Sequence, residues 1–275
     1  MATTVYPFVT ATSGTVNTKG AYTQVTAATT FDSSRLVVLT ASAGLAGLSV
    51  LLDVATGGAG SETVVISNIS CVSDSDFCTG LVMPVDVDIP TGTRLAVRIQ
   101  TNNGSATTMN VQLAQDNRAL GSLTAPVTYG TSTANSRGTQ VDPGGTINTK
   151  GAYAQLTAST TARIDALLLS IFFDTSTTTA VPSFTQWSVD VATGAAGSEV
   201  VVLADLLIVA NSAADQTRPQ AMRLPITIAA GTRLAVRCNC SSNTSASRML
   251  RVAVVGMQEP ATSGGGGATS VAYLG

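Results

Sequence analysis

The sequence predicts an all-β protein made of two tandem homologous antiparallel β-sandwich domains of jelly-roll type. Three observations predict it. The stretch Asp53-Val-Ala-Thr-Gly-Gly-Ala-Gly-Ser-Glu62 is written again, with one letter changed, from Asp190 to Glu199. Two flanking phrases, Asn17-Thr-Lys-Gly-Ala-Tyr22 and Gly92-Thr-Arg-Leu-Ala-Val-Arg98, return in the same order as Asn148 to Tyr153 and Gly231 to Arg237. Between these anchors stand short β-branched runs separated by Gly, Pro and Asn turn signals, and no apolar stripe of helical period competes with them. A repeat of about 130 residues exceeds the roughly 20–50 of solenoid and propeller units, so each copy is expected to be a domain with its own core.

Taken in order, residues 1–14 are polar and Thr-rich, with Tyr6, Pro7 and Phe8 as large anchors. They read as an extended N-terminal arm, which makes Tyr6 and Phe8 candidate interface residues. The first sandwich is placed at 15–115, with strands expected over 22–27, 35–40, 48–54, 63–69, 81–87, 93–99 and 109–114. The clearest alternation sets Leu95, Val97 and Ile99 against Arg94, Ala96 and Arg98, and the second copy repeats it with Leu234, Val236 and Cys238 against Arg233, Ala235 and Arg237. The copied glycine-rich stretch lies between two apolar runs and reads as a hairpin connection, because glycine supplies the positive φ a reversal requires. The excursion from Ser70 to Gly80 suits a Greek-key crossing. Residues 116–143 lose apolar content between Pro126 and Pro143 and read as an interdomain linker. The second sandwich is placed at 144–258. Residues 259–275 read as a flexible tail with an apolar tip, in which Tyr273 and Leu274 are candidate contacts for another subunit.

Composition narrows the function classes. Charged residues make up 11 % and the net charge is −2, with fourteen Lys and Arg scattered along both copies. That gives no electrostatic footprint for a phosphate backbone, so nucleic acid is not expected as a partner. The N-terminus lacks a basic stretch followed by an apolar core, and apolar runs stay far short of about 20 residues, so neither signal peptide nor membrane span is expected. The absence of histidine removes Ser-His-Asp and Cys-His catalysis and His-ligated zinc.

The remaining chemistry is thin. Asp53 with Glu62, and Asp190 with Glu199, could form a calcium site or an acid/base couple; loop stabilisation through turn N–H groups is the favoured reading. Arg94, Arg98, Arg233 and Arg237 are candidate interface residues, set against cross-strand ion pairs on a solvated face. Cys71 and Cys78 could close a disulfide, but free thiols are expected in a chain made inside a cell; Cys238 and Cys240 read as buried small hydrophobes. Trp187 is a candidate glycan contact if the second sandwich carries an aromatic platform, whereas Tyr22 and Tyr153 fit a structural role. No catalytic residue, cofactor or metal is expected.

With the three phrases present twice and in order, the chain resembles virion proteins of tailed bacteriophages, and the resemblance spans both repeats. It implies a place in a particle, in the head or the tail, and carries over no catalytic residue. The expected function is a capsid decoration protein, made in the host cytoplasm and carried on the virion surface. Its partners would be the major capsid protein or other virion proteins. A homo-oligomer is expected, a trimer presenting six similar sandwiches. The alternative is a tail-associated protein with a glycan-binding sandwich.

Overall fold

A computed structural model of the chain describes residues 3–42, 48–73, 81–116, 123, 125–173, 185–209, 220–244 and 248–258. The first sandwich contains β1 (Thr3–Val5), β2 (Val9–Thr12), β3 (Thr23–Thr26), β4 (Ser33–Ser42), β5 (Leu48–Thr56), β6 (Thr63–Ser73), β7 (Leu81–Ile89), β8 (Leu95–Thr101) and β9 (Thr108–Asp116). The second contains β10 (Val127–Tyr129), β11 (Thr131–Ser132), β12 (Arg137–Val141), β13 (Ala154–Thr157), β14 (Ala166–Phe173), β15 (Gln186–Thr193), β16 (Val200–Val209), β17 (Gln220–Leu224), β18 (Leu234–Cys240) and β19 (Leu250–Met257).

In the first sandwich a sheet of order β2-β9-β4-β7 faces one of order β3-β8-β5-β6; in the second, β12-β19-β14-β17 faces β13-β18-β15-β16. Consecutive strands therefore alternate between sheets except at the β5–β6 and β15–β16 hairpins, which is the eight-stranded jelly roll. Its core follows the period of two: Leu36 and Val38 of β4, Val50, Leu52 and Val54 of β5, and Leu95, Val97 and Ile99 of β8 are all buried in one cluster. All seven runs expected in the first copy lie on strands of this sandwich.

Two boundaries differ from the sequence reading. Residues 1–14 are not a free arm: β1 and β2 pair in succession with β9, with Val5 opposite Ala114 and Val9 opposite Val111. The extra residues between them form a bulge at Tyr6-Pro7-Phe8, where proline's missing N–H is tolerated on an edge. Residues 116–143 are not a plain linker either, because β10 and β12 pair with β19 in the same way, Tyr129 opposite Val254 and Thr139 opposite Val252. The bulge of the first copy is here an inserted hairpin of β11 against β12. These strands escaped the pattern because each is short and polar: Ala11 is the fully buried apolar residue of β2, and Val141 that of β12.

The sandwiches pack directly on one another. The outward residues Ala166 and Leu168 of β14, and Val255 and Met257 of β19, join the core cluster of the first sandwich. Beside them the buried Asp86 of β7 accepts from Arg35 Nε at 2.7 Å and from Arg223 Nη2 at 2.5 Å. The hairpin inserted before β12 reaches over the first sandwich, where Gln100 Nε2 donates to Thr133 O and Ser136 Oγ, and Ser136 Oγ donates to Asn17 Oδ1. An apolar seam, a buried ion triad and this polar tip hold the tandem in one arrangement, where the sequence reading left room for movement.

Candidate functional site

The three repeated phrases converge on the outer face of the β3-β8-β5-β6 sheet, and again on its counterpart in the second sandwich. Asp53, outward on β5, accepts from Lys19 Nζ at 2.8 Å, from Arg98 Nε at 2.9 Å and from the Asn68 N–H at 2.8 Å. Asn68 sits at a bulge in β6 with a φ of 52°. The carboxylate thus holds a strained turn of backbone as well as two cations. Arg98 also lies over the Tyr22 ring, its Cζ 4.5 Å from the centroid. In the second sandwich Asp190 accepts from Lys150 at 2.7 Å, Arg237 at 2.9 Å and the Asp205 N–H at 3.0 Å, and Arg237 lies 4.5 Å over Tyr153.

The rest of each phrase has a local reason. Asn17 and Asn148 take positive φ, which asparagine tolerates. A Cβ on Gly20 would stand 1.8 Å from Thr12 O, and one on Gly151 2.4 Å from Asp142 O, so only glycine lets the two segments cross. At the hairpin, Glu62 accepts the Gly60 N–H at 2.9 Å and Arg94 Nη1 at 3.1 Å, while Arg94 Nη1 also reaches Gly57 O and its Nε reaches Gln24. Glu199, Gly197, Arg233, Gly194 and Gln155 repeat that arrangement.

Electrostatics follow the geometry. Burial lowers the Lys19 ammonium below the ordinary lysine value, and the Asp53 charge partly offsets it. Burial pushes the Asp190 carboxyl up, but the Asp205 N–H, Lys150 and Arg237 together hold it below the usual carboxylate value. Burial raises the Cys71 and Cys238 thiols to about 12, so both are inert hydrophobes at neutral pH. Cys71 lies in β6 as a free thiol; Cys78 is outside the described residues.

Each candidate residue now has a place. Arg94, Arg98, Arg233 and Arg237 form the ion pairs that were weighed against an interface role, inside their own sandwiches, with the Arg98 and Arg237 side chains still 30 % and 31 % exposed. The carboxylates Asp53, Glu62, Asp190 and Glu199 are held by the same cations and turn amides. Trp187 is fully buried, its Nε1 donating to Arg248 O and its ring centroid 4.6 Å from that of Phe173. It has no face to offer a sugar, so the glycan reading of Trp187 is corrected to a core role. Tyr6 is buried, with its hydroxyl donating to Gln115, and is a core anchor instead of an interface residue. Tyr273 and Leu274 lie outside the described residues.

Phe8 alone of the described interface candidates is strongly exposed, at 67 %. It lines a groove of about 440 Å³ on the outer face of the β2-β9-β4-β7 sheet, together with Leu39, Ala41, Val82, Asn110 and Gln112. Val82 is itself 51 % exposed. The sequence reading missed this face; the outward positions Leu39 and Val82 on strands with polar neighbours were its available signal.

No protein-family model matches the chain, and no curated protein matches it. Among solved structures, PNGF-II is similar at 12 % identity and a TM-score of 0.34, over 90 % of this chain and 65 % of that one. The chain thus spans just under two thirds of that protein's length. The N-terminal CBM22-1-CBM22-2 tandem domain of Paenibacillus barcinonensis Xyn10C is similar at 9 % identity and 0.28, over 86 % of this chain and 82 % of that one. The Gt strain of infectious bursal disease virus is similar at 11 % identity and 0.26, over 94 % and 74 %. These are loose superpositions of β-rich chains and say nothing about what this chain binds.

Proposed function

We propose that this chain is a non-enzymatic structural subunit on the surface of a tailed-phage particle, a capsid decoration protein that bridges neighbouring capsid subunits. The observation that carries the reading is the exposed apolar groove at Phe8, Leu39 and Val82 on a protein whose repeated charged residues are consumed in internal pairs. Apolar surface left open on an otherwise tied framework suits protein contact better than turnover of a small substrate. The resemblance of the repeated phrases to phage virion proteins supports the particle, and the packed tandem suits a mechanical part. Its partner would be the major capsid protein or another virion protein, and three chains would present six similar sandwiches to a hexagonal array.

The test is an electron-microscopy reconstruction of particles with and without the chain. Density lost from between capsomers is the expected result; density lost only from the tail, or no density lost, overturns decoration.

A further inference from the structure

The contact between the two sandwiches leaves one copy of each of its halves unused. Inside the chain, the first sandwich presents its β6–β7 edge, and the second presents the outer face of β14 and β19 together with the β11–β12 hairpin. Register identifies the counterparts. Leu39 pairs with Gln112 as Ser170 pairs with Ala253, so the groove lies on the face that is occupied on the second sandwich, beside Val37 and the Asp86-paired Arg35, the counterparts of the seam residues Leu168 and Ala166. Ser70 pairs with Leu51 as Leu207 pairs with Ser188, so β16 of the second sandwich stands where β6 stands in the first. That edge is open at Leu207, which is 59 % exposed, whereas its counterpart Ser70 is 1 % exposed in the internal contact.

The substitutions between the copies match each other across the gap. In the internal contact the polar hairpin tip sits over Gln100, in the cross-strand row that contains Leu51 and Ser70. In the unused halves, the hairpin's counterpart is the bulge bearing Phe8 and Ser70's counterpart is Leu207, so each half carries an exposed apolar residue where the internal contact has polar ones; Gln100's counterpart, Asn239, stays polar. The ion pair of Asp86 with Arg223 has its counterparts at Pro225 and Pro84, since Val38 pairs with Met83 as Leu169 pairs with Met222. Neither unused half therefore brings one of that pair's charges to be buried without a partner.

We infer that the open outer face of the first sandwich receives the β16–β17 edge of the second sandwich of another copy of this chain, head to tail, repeating the internal contact between chains. Such a contact uses two different patches, and so it propagates from chain to chain until a ring closes. It competes with the particle reading for the Phe8 groove: a purified chain that stays monomeric sinks this contact and leaves decoration standing, whereas assembly through Phe8 leaves the capsid contact to other faces.

The experiment is mass photometry and sedimentation of the purified full chain, with Phe8→Asp and Leu207→Asp, at about 10 µM, where a standard interface is well populated. The wild type is expected to assemble, each variant alone to be monomeric, and an equal mixture of the two to form a dimer and nothing larger, because each retains the half the other lacks. A monomeric wild type, a variant that assembles like the wild type, or a mixture that stays monomeric overturns the contact. Far-UV circular dichroism and the melting curve establish that each variant is folded; Val82→Asp and Leu207→Lys, on the same two patches, replace any variant that melts early.

Discussion

The two sandwiches share a topology and a charge network almost bond for bond, yet differ in what covers them. On the first, the row containing Leu51 and Gln100 is buried beneath the hairpin of the second. On the second, the same row contains Ser188, Asn239 and the exposed Leu207. The letters kept in the three repeated phrases fold the unit, including Lys19, Asp53 and Arg98 and their counterparts, whereas Leu51 and Ser70, covered on the first sandwich, become Ser188 and Leu207 on the second.

The largest test of this comparison is removal of residues 1–14. If these residues are strands of the first sandwich, deleting β1, β2 and the Tyr6 anchor should cost more than about 4 kcal/mol and abolish its cooperative transition, leaving a transition from the second. Calorimetry showing a single transition near the wild-type temperature would restore the free arm.

Next comes the seam. Asp86→Ala removes the buried carboxylate to which both Arg35 and Arg223 donate, a change that typically costs about 3–5 kcal/mol. The two sandwiches should then melt separately, seen as a split of one calorimetric transition into two. Arg223→Ala should produce a smaller version, because Arg35 still neutralises Asp86.

The networks themselves are nearly matched, and their differences at Asp205 and Ser188 sharpen the comparison. Lys150 also lies 3.0 Å from Asp205, where the first sandwich has Asn68. Asp53→Ala should therefore cost about 3 kcal/mol and Asp190→Ala less, since Lys150 keeps a carboxylate partner. Equal losses in urea unfolding would remove Asp205 from the network.

The smallest effect is on acid stability. Asp190 and Asp205 are held below the ordinary 3.8, the first by hydrogen bonds and cations that outweigh its burial, the second by Ser188 and Lys150. A carboxyl lowered on folding contributes stability that is full above its unfolded value and fades as pH falls through the lower folded one. The urea midpoint should therefore drop between about pH 4 and pH 2, and less steeply in Asp190→Asn. Parallel curves for the variant and the wild type would break the assignment.

Much of this was legible in the residues. The alternation of Leu95, Val97 and Ile99 located β8, and the glycines of the copied stretch located its hairpin, because both are local patterns of one chain segment. The short strands β2 and β12 were not legible, since one inward apolar residue among polar neighbours makes no period. Trp187 and Tyr6 were misread for a related reason: an aromatic residue carries no local sign of whether its ring faces a core or solvent.

By itself the sequence determined that there are two copies, that each is a β-sandwich, and that Asp53, Arg98 and their counterparts matter to both, since repetition and side-chain alternation are written along the chain. Only the tertiary structure decided that the repeated charges close on one another and that Phe8 and Leu207 are left open. Those facts depend on which distant strands become neighbours, and two copies with nearly the same letters acquire different surroundings once one is packed against the other.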